Sequence, residues 1–370
     1  MMPDYFAALG GEVVDPRVVI EAALPLELSG EAVRGRICVF TDEDGQEWAL
    51  RPDLTLPVAV EEIARREAGE TGERLVRYGA PVFRLPALAG EPVEFHQAGF
   101  ERYGAPSTPE VDAGVFTTIS ETCAAAGVNA GIVQVGDLAI FPAFVDAMGL
   151  PEDTASGLKR AFRQQGGVRA YLNADRGGAA SGLAQRLEGM SRDEVQAFVG
   201  DIFALTGIRP VGERTSDEIV ERLHARARSG DTSELPASAI ALIEQVLAVN
   251  VPLLAVADTL RALGQEAGLS GVEGAIGDLA TRIDAMRAGA PNLMETARFA
   301  TRFGRRFTYY DGFVFEVSAS EAESAEGRAY AAGGRYDSLL GDLSGGRVEA
   351  TAVGAIIVPH RLNRAAGGPS

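Results

Sequence analysis

A chain of 370 residues, 46% of them hydrophobic, with a mean hydropathy of +0.04, carries core material for roughly two to three domains. Its formal charge of −18 and the absence of any Lys/Arg-rich run disfavour nucleic-acid binding, which needs a basic surface to displace counterions from phosphate. No apolar run is long enough to span a bilayer, and the start MMPDYFAALGGEVV lacks a basic segment followed by an apolar one, so a cytoplasmic location and no membrane partner are expected.

Residues 8–60 alternate short apolar stretches with turns. VVIEAALPLEL predicts a helix-to-strand passage broken at Pro25, and RICVFTDEDGQEWALRP a β-hairpin turning at Asp44-Gly45. LRPDLTLPVAVEEIARR then becomes an amphipathic helix. RLVRYGAPVFRL and EPVEFHQAGFERYG predict two strands joined by a loop over residues 85–94, followed by a helix at 109–127 and a strand in NAGIVQVGDL. From 151 to about 300 the patterns turn helical, as in DEVQAFVGDIFALTG and ASAIALIEQVLAVNVPLLAVADTLRAL. Strands return at 305–317 and at 350–358. Two β-rich segments flanking a helical block predict one mixed α/β domain, residues 1–150 and 290–370, carrying a helical insertion at 151–289. Cys38 and Cys123 have no metal-type spacing and read as buried free thiols, and the three histidines form no metal cluster.

Four stretches could carry chemistry. In LRPDLTLP, Arg51, Asp53 and Thr55 alternate, so an extended backbone projects all three to one side. A carboxylate and a hydroxyl so placed suit a ligand's ammonium group; the same two residues equally suit the cap of a helix starting near Pro57, and the cap is the commoner reason for them. Gln97, Gly99 and Glu101 alternate on one face beside Phe95, which fits either a solvated sheet surface or a pocket floor. His96, on the opposite face with Phe100, reads as a structural histidine. In RRFTYYDGFVFEV a strand would send Tyr309 and Tyr310 to opposite faces. In YAAGGRYDSLL, Gly333-Gly334 permits close backbone approach and by itself reads as a turn, far short of a phosphate loop.

The order LRPDLT, VFR…EFHQAGFE, R-x-x-x-YYDGFVFE, AAGGRYD, AVG…HRL resembles the catalytic core of histidyl-tRNA synthetase across residues 8–362. The resemblance implies an α+β fold of the class II aminoacyl-tRNA synthetase type, a mixed and mainly antiparallel sheet with a helical insertion, and it places IEAALP at the dimer interface. It also implies a histidine-binding pocket. Asp53 stands where the family has a glutamate for the ammonium group, Thr55 matches the neighbouring threonine, and Gln97 and Glu101 match residues around that group. Tyr309 and Tyr310 match the pair near the imidazole, the Gly333-Gly334 backbone forms a wall, and Arg305 falls at the catalytic arginine with Arg306 adjacent.

The nucleotide half departs from that pattern. Arg84 and Arg361 are kept as a vestigial nucleotide site, but Pro86 replaces the glutamate that reads adenine. The following loop, ALAGEPVE, has no basic residue and two acidic ones, Glu91 and Glu94. Like unit charges at about 4 Å and an effective dielectric of about 20 oppose each other by roughly 4 kcal/mol, so a triphosphate there is disfavoured. Val358-Pro359-His360-Arg361-Leu362 stands where the family has Gly-Leu-Glu-Arg-Leu. The sequence ends at Ser370, eight residues after that motif, so no anticodon-binding domain is expected.

This combination resembles the regulatory subunits of ATP phosphoribosyltransferase, a histidyl-tRNA synthetase paralogue. The resemblance implies a non-catalytic chain with no metal or cofactor, a homodimer assembled with the short-form catalytic subunit, required for the first step of histidine biosynthesis. Histidine would be its feedback effector, bound in the inherited pocket or at the subunit interface, with no role for tRNA. A truncated histidyl-adenylate-forming enzyme acting on another acceptor, and a scaffold with a vestigial pocket, are the alternatives.

Overall fold

The computed structural model describes residues 3–88, 91–164, 167–173, 194, 235–304 and 309–367. Twelve strands occur among them: β1 (Glu12–Val13), β2 (Val19–Glu21), β3 (Val39–Thr41), β4 (Glu47–Leu50), β5 (Arg74–Phe83), β6 (Glu94–Tyr103), β7 (Ile132–Asp137), β8 (Asn250–Pro252), β9 (Arg298–Ala300), β10 (Phe313–Ser318), β11 (Ala331–Arg335) and β12 (Ala352–Ile357). Nine form one sheet in the order β1-β5-β6-β12-β11-β10-β7-β9-β8, and β2-β4-β3 form a second. Only the β1–β5 and β7–β9 pairs are parallel, so the sheet is mixed and mainly antiparallel, as expected.

The longest ladder runs from Arg74↔Tyr103 to Phe83↔Glu94, and along β5 it buries Val76, Tyr78, Ala80 and Val82 at every second residue. One face of the sheet is covered by the helix Pro109–Ala125. Thr108 Oγ1 caps that helix by accepting from Val111 N–H at 3.4 Å, and Phe116 meets Phe315 edge-on at 5.0 Å. Against the other face lies the helix Thr55–Glu67, whose Leu56, Val58, Ala59 and Ile63 join Tyr78, Tyr103, Tyr309 and Tyr336 in one buried cluster.

By compactness, Met1–Gln165 and Ala241–Ser370 form one unit and Gly166–Ile240 another. The helical block read at 151–289 is thus divided: its helices Glu152–Arg163, Val256–Glu266 and Glu273–Gly289 fall within the first unit. DEVQAFVGDIFALTG lies outside the described residues.

Four local expectations are corrected. VVIEAALPLEL runs strand then helix, β2 followed by Ala23–Leu28, and Pro25 sits in the first helical turn, where its missing N–H has no intrahelical partner to lose. The helical pattern of ASAIALIEQVLAVNVPLLAVADTLRAL gives the helices Ala237–Ala248 and Val256–Glu266 but is interrupted by the strand β8, where Pro252 ends helical bonding and holds Val251 extended. Gly333-Gly334 is no turn: both residues lie inside β11. The strand expected from residue 305 begins at Phe313, so both tyrosines precede it. The hairpin at Asp44-Gly45 is present, Gly45 taking a φ of 83°.

Candidate functional site

A row of facing residues crosses the sheet: Val76 on β5, Glu101 on β6, Gly354 on β12, Gly334 on β11 and Val314 on β10. The two glycines are required by what leans over them. A Cβ on Gly354 would lie 1.6 Å from Glu101 Oε2, and one on Gly334 would lie 2.8 Å from the Tyr310 ring. Glu101 is buried and fully engaged. Its Oε1 accepts from Thr55 Oγ1 at 2.8 Å and from the Tyr78 hydroxyl at 2.6 Å, and its Oε2 accepts from the Tyr336 hydroxyl. Burial pushes its carboxyl up to about 7, against the pull of the three hydroxyls; nearby Asp53 adds to the rise.

Asp53 takes the capping role that its sequence context allows. Oδ1 accepts the Leu56 N–H at 3.1 Å and so caps the helix Thr55–Glu67, while the buried Oδ2 has no hydrogen-bond partner in the protein. Gln97 Oε1 is likewise buried without a partner. Burial raises the Asp53 carboxyl, while the Leu56 N–H and the Arg84 charge oppose the rise. An unsatisfied carboxylate oxygen and an unsatisfied amide oxygen are acceptors that an ammonium group, with three donors, can satisfy.

Tyr309 and Tyr310 close the region from above. Their rings lie 4.8 Å apart and pack edge-on to Tyr336 at 5.8 and 6.2 Å, so the expectation that they face opposite sides fails. Both precede β10 in irregular backbone, where strand alternation does not apply. Burial raises both phenols, leaving them neutral hydrogen-bonding groups. Tyr310 is held by its carbonyl, which accepts from Arg163 Nη2 at 2.8 Å, and the neighbouring Asp311 accepts the N–H groups of Asp337 and Ser338.

The remaining candidates separate. Gly333 faces the opposite side, where its Cβ would meet Phe315 and Ala355, so Gly334 alone borders the pocket. Arg51 is buried with its guanidinium spent on the carbonyls of Pro81 and Pro16, and takes no part alongside Asp53 and Thr55. His96 is exposed rather than packed. Arg305 lies outside the described residues. Arg84 and Arg361 lie together at the end of the pocket, their guanidinium carbons 5.5 and 5.8 Å from the Phe95 ring centre. His360 approaches the same ring at 6.0 Å.

The histidyl-tRNA synthetase family matches residues 2–193, more than half of the chain. The ATP phosphoribosyltransferase regulatory subunit of Mesorhizobium japonicum is 33% identical over 368 residues, covering 96% of this chain and 94% of its own. That of Chelativorans sp. is 31% identical over 351 residues, covering 91% and 89%. The chain belongs to the ATP phosphoribosyltransferase regulatory subunit family. Solved structures agree on its fold. An ATP phosphoribosyltransferase regulatory subunit/histidyl-tRNA synthetase from Bacillus halodurans C matches with a TM-score of 0.62 at 18% identity, over 98% of this chain and 76% of that one. Histidyl-tRNA synthetase from Nostoc sp. PCC 7120 gives 0.57 at 17% identity, over 97% and 68%. The architecture of this regulatory subunit family is therefore that of a class II synthetase core.

Sequence reasoning missed Tyr78, Tyr336 and Gly354. Tyr78 reaches Glu101 only through the β5–β6 register, which pairs it with Gly99, a residue whose Cβ would lie 2.8 Å from the Tyr78 ring. Tyr336 follows the glycine pair in AAGGRYD and was open to assignment from that position alone. Gly354 had a signal in AVGAII, where a glycine interrupts an otherwise apolar strand. In this member of the regulatory subunit family, then, a buried carboxylate wrapped in hydroxyls adjoins two unsatisfied acceptors beneath a tyrosine pair.

Proposed function

We propose that the chain is the non-catalytic regulatory subunit of ATP phosphoribosyltransferase, a homodimer that assembles with the short-form catalytic subunit and responds to histidine in the pocket around Glu101. The observation that carries the reading is the pair of buried, unpartnered acceptors, Asp53 Oδ2, whose charge reaches Glu101, and Gln97 Oε1, on the same face of β6 as Glu101. A histidine ammonium would supply donors there, and a neutral phenol of Tyr309 or Tyr310 suits an imidazole nitrogen. Feedback follows when histidine binds one state of the assembly better than another. Relatives over nearly the whole length bear the regulatory-subunit name, which supports the role.

Mixing the chain with its organism's short catalytic subunit tests the role: activity should appear only in the mixture and fall when histidine is added. Histidine at about 100 times its dissociation constant should stabilise the free chain by about 2.7 kcal/mol. Asp53→Asn keeps an oxygen for the Leu56 N–H while removing the charge, so it should abolish that thermal shift without lowering the apo melting temperature. A full histidine shift in this variant would remove the pocket from the mechanism. Histidine-dependent exchange of pyrophosphate into ATP would instead favour an adenylate-forming enzyme.

A further inference from the structure

We infer that Glu91 is a built-in counter-ion that closes an arginine cluster against phosphate-bearing ligands. Three guanidinium groups converge from separate segments: Arg36 ahead of β3, Arg84 after β5, and Arg361 in the helix Pro359–Ala365. Each is fixed by the backbone. Arg36 Nε donates to Leu85 O at 2.5 Å, Arg84 Nε to Pro52 O at 2.6 Å, and Arg361 Nη1 to Ala329 O at 3.2 Å. Phe95 lies beneath Arg84 and Arg361, giving the cluster an apolar floor.

The carboxylate of Glu91 is the anion bound there. Its Oε2 accepts from Arg36 Nη2 and from the Ala87 N–H, both at 3.1 Å, and its Oε1 lies 3.8 Å from Arg361 Nη2. The Arg36, Glu91 and Arg361 side chains are 25%, 15% and 16% exposed, so this is a partly desolvated contact rather than a solvated surface pair. Arg84 also acts on the Asp53 carboxyl, and Glu91 is the carboxylate held between Arg36 and Arg361. Burial, and after it the neighbouring Arg84, push Arg361 down to about 10 despite Glu91. A multi-oxygen anion offers more acceptors to these guanidinium N–H groups than one carboxylate does. Glu91 occupies the position it would take, so such a ligand must first displace a side chain tethered by two arginines and a backbone N–H. This contact excludes phosphates independently of whether the adjoining pocket takes histidine.

The test is calorimetry of inorganic pyrophosphate with the full-length chain. Glu91→Gln should bind it at least tenfold more tightly than the unaltered chain, and the gain should vanish in the Glu91→Gln, Arg361→Gln double variant. Equal affinity for the unaltered chain and Glu91→Gln overturns the inference, as does a gain that survives loss of Arg361. If Glu91→Gln does not fold, Glu91→Asp, which withdraws the carboxylate from Arg361, should still gain at least threefold, and no gain there also overturns it. The histidine-induced melting shift, measured on the same samples, reports the neighbouring pocket separately.

Discussion

Glu101 is 1% exposed, and its three hydroxyl donors do not fully replace the water it has lost. With a folded-state value of about 7 against an ordinary 4.5, the native protein holds this proton over a pH range in which the unfolded chain has released it. The unfolded state therefore binds fewer protons between those values, and stability falls as pH rises through the window. The penalty is absent below about pH 4.5 and complete above about pH 7, amounting to roughly 3 kcal/mol. Glu101→Gln cannot titrate, yet keeps an acceptor for Thr55 and Tyr78. The difference in melting temperature between this variant and the unaltered chain should widen in favour of the variant from pH 5 to pH 8. Parallel curves across that range would show that Glu101 is ionised in the folded state throughout.

At the scale of elements, the pocket depends on a network on the sheet's opposite face. Arg282, in the helix Glu273–Gly289, donates to Asp112 at 2.9 Å and to Asp137 at 2.7 Å, and its guanidinium carbon lies 5.2 Å from the Phe313 ring centre. Arg335 on β11 donates to Asp112 at 2.7 Å and to Asp337 at 2.8 Å, and Asp337 N–H in turn bonds Asp311, next to Tyr310. Arg282→Met would leave Asp112 and Asp137 buried with a missing cation, a loss expected to cost about 3–5 kcal/mol. The urea midpoint should drop with an unchanged slope; a drop under about 1 kcal/mol would mean that water enters and solvates the carboxylates. None of this network could be read from the sequence, because its partners are separated by up to 223 residues and meet only once the strands are ordered. What was legible were patterns local to one segment. The alternation of Gln97, Gly99 and Glu101 and the placing of Asp53 before a helix depend on two or three neighbours each. Tyr309 and Tyr310 misled because aromatic and β-branched residues imply a strand, while Asp311 and Gly312 delay its start to Phe313. Gly333-Gly334 misled in the opposite sense, since a glycine pair imitates a turn wherever a close-packed strand needs the same freedom from a Cβ.

For the molecule as a whole, the small β2-β4-β3 sheet is the feature that a single chain leaves unexplained. Its inner face packs Ile20 and Ala49 into a core with Ala22 and Ile37. Register places Val19, Leu50, Trp48 and Phe40 on the outer face with one charged residue, Glu21, where an antiparallel sheet facing water would carry mostly polar residues. Val19 and Phe40 are exposed, Trp48 and Leu50 half-buried. A largely apolar outer face supports the proposed homodimer through the segment that contains IEAALP. The charge of −18 on each chain opposes that association, and salt screens such repulsion over about 10 Å at 0.1 M. A dimer held by this face should therefore tighten as salt rises, whereas one held by ion pairs would loosen. Trp48, the sole tryptophan, reports the event directly, because covering it should shift its emission to shorter wavelength as protein concentration increases. Phe40→Asp places a charge on the face beside Trp48 and should weaken the dimer at least tenfold in sedimentation equilibrium, leaving Trp48 emission independent of concentration. If this variant sediments as the unaltered chain does, with the same response to salt, the dimer is built from another surface.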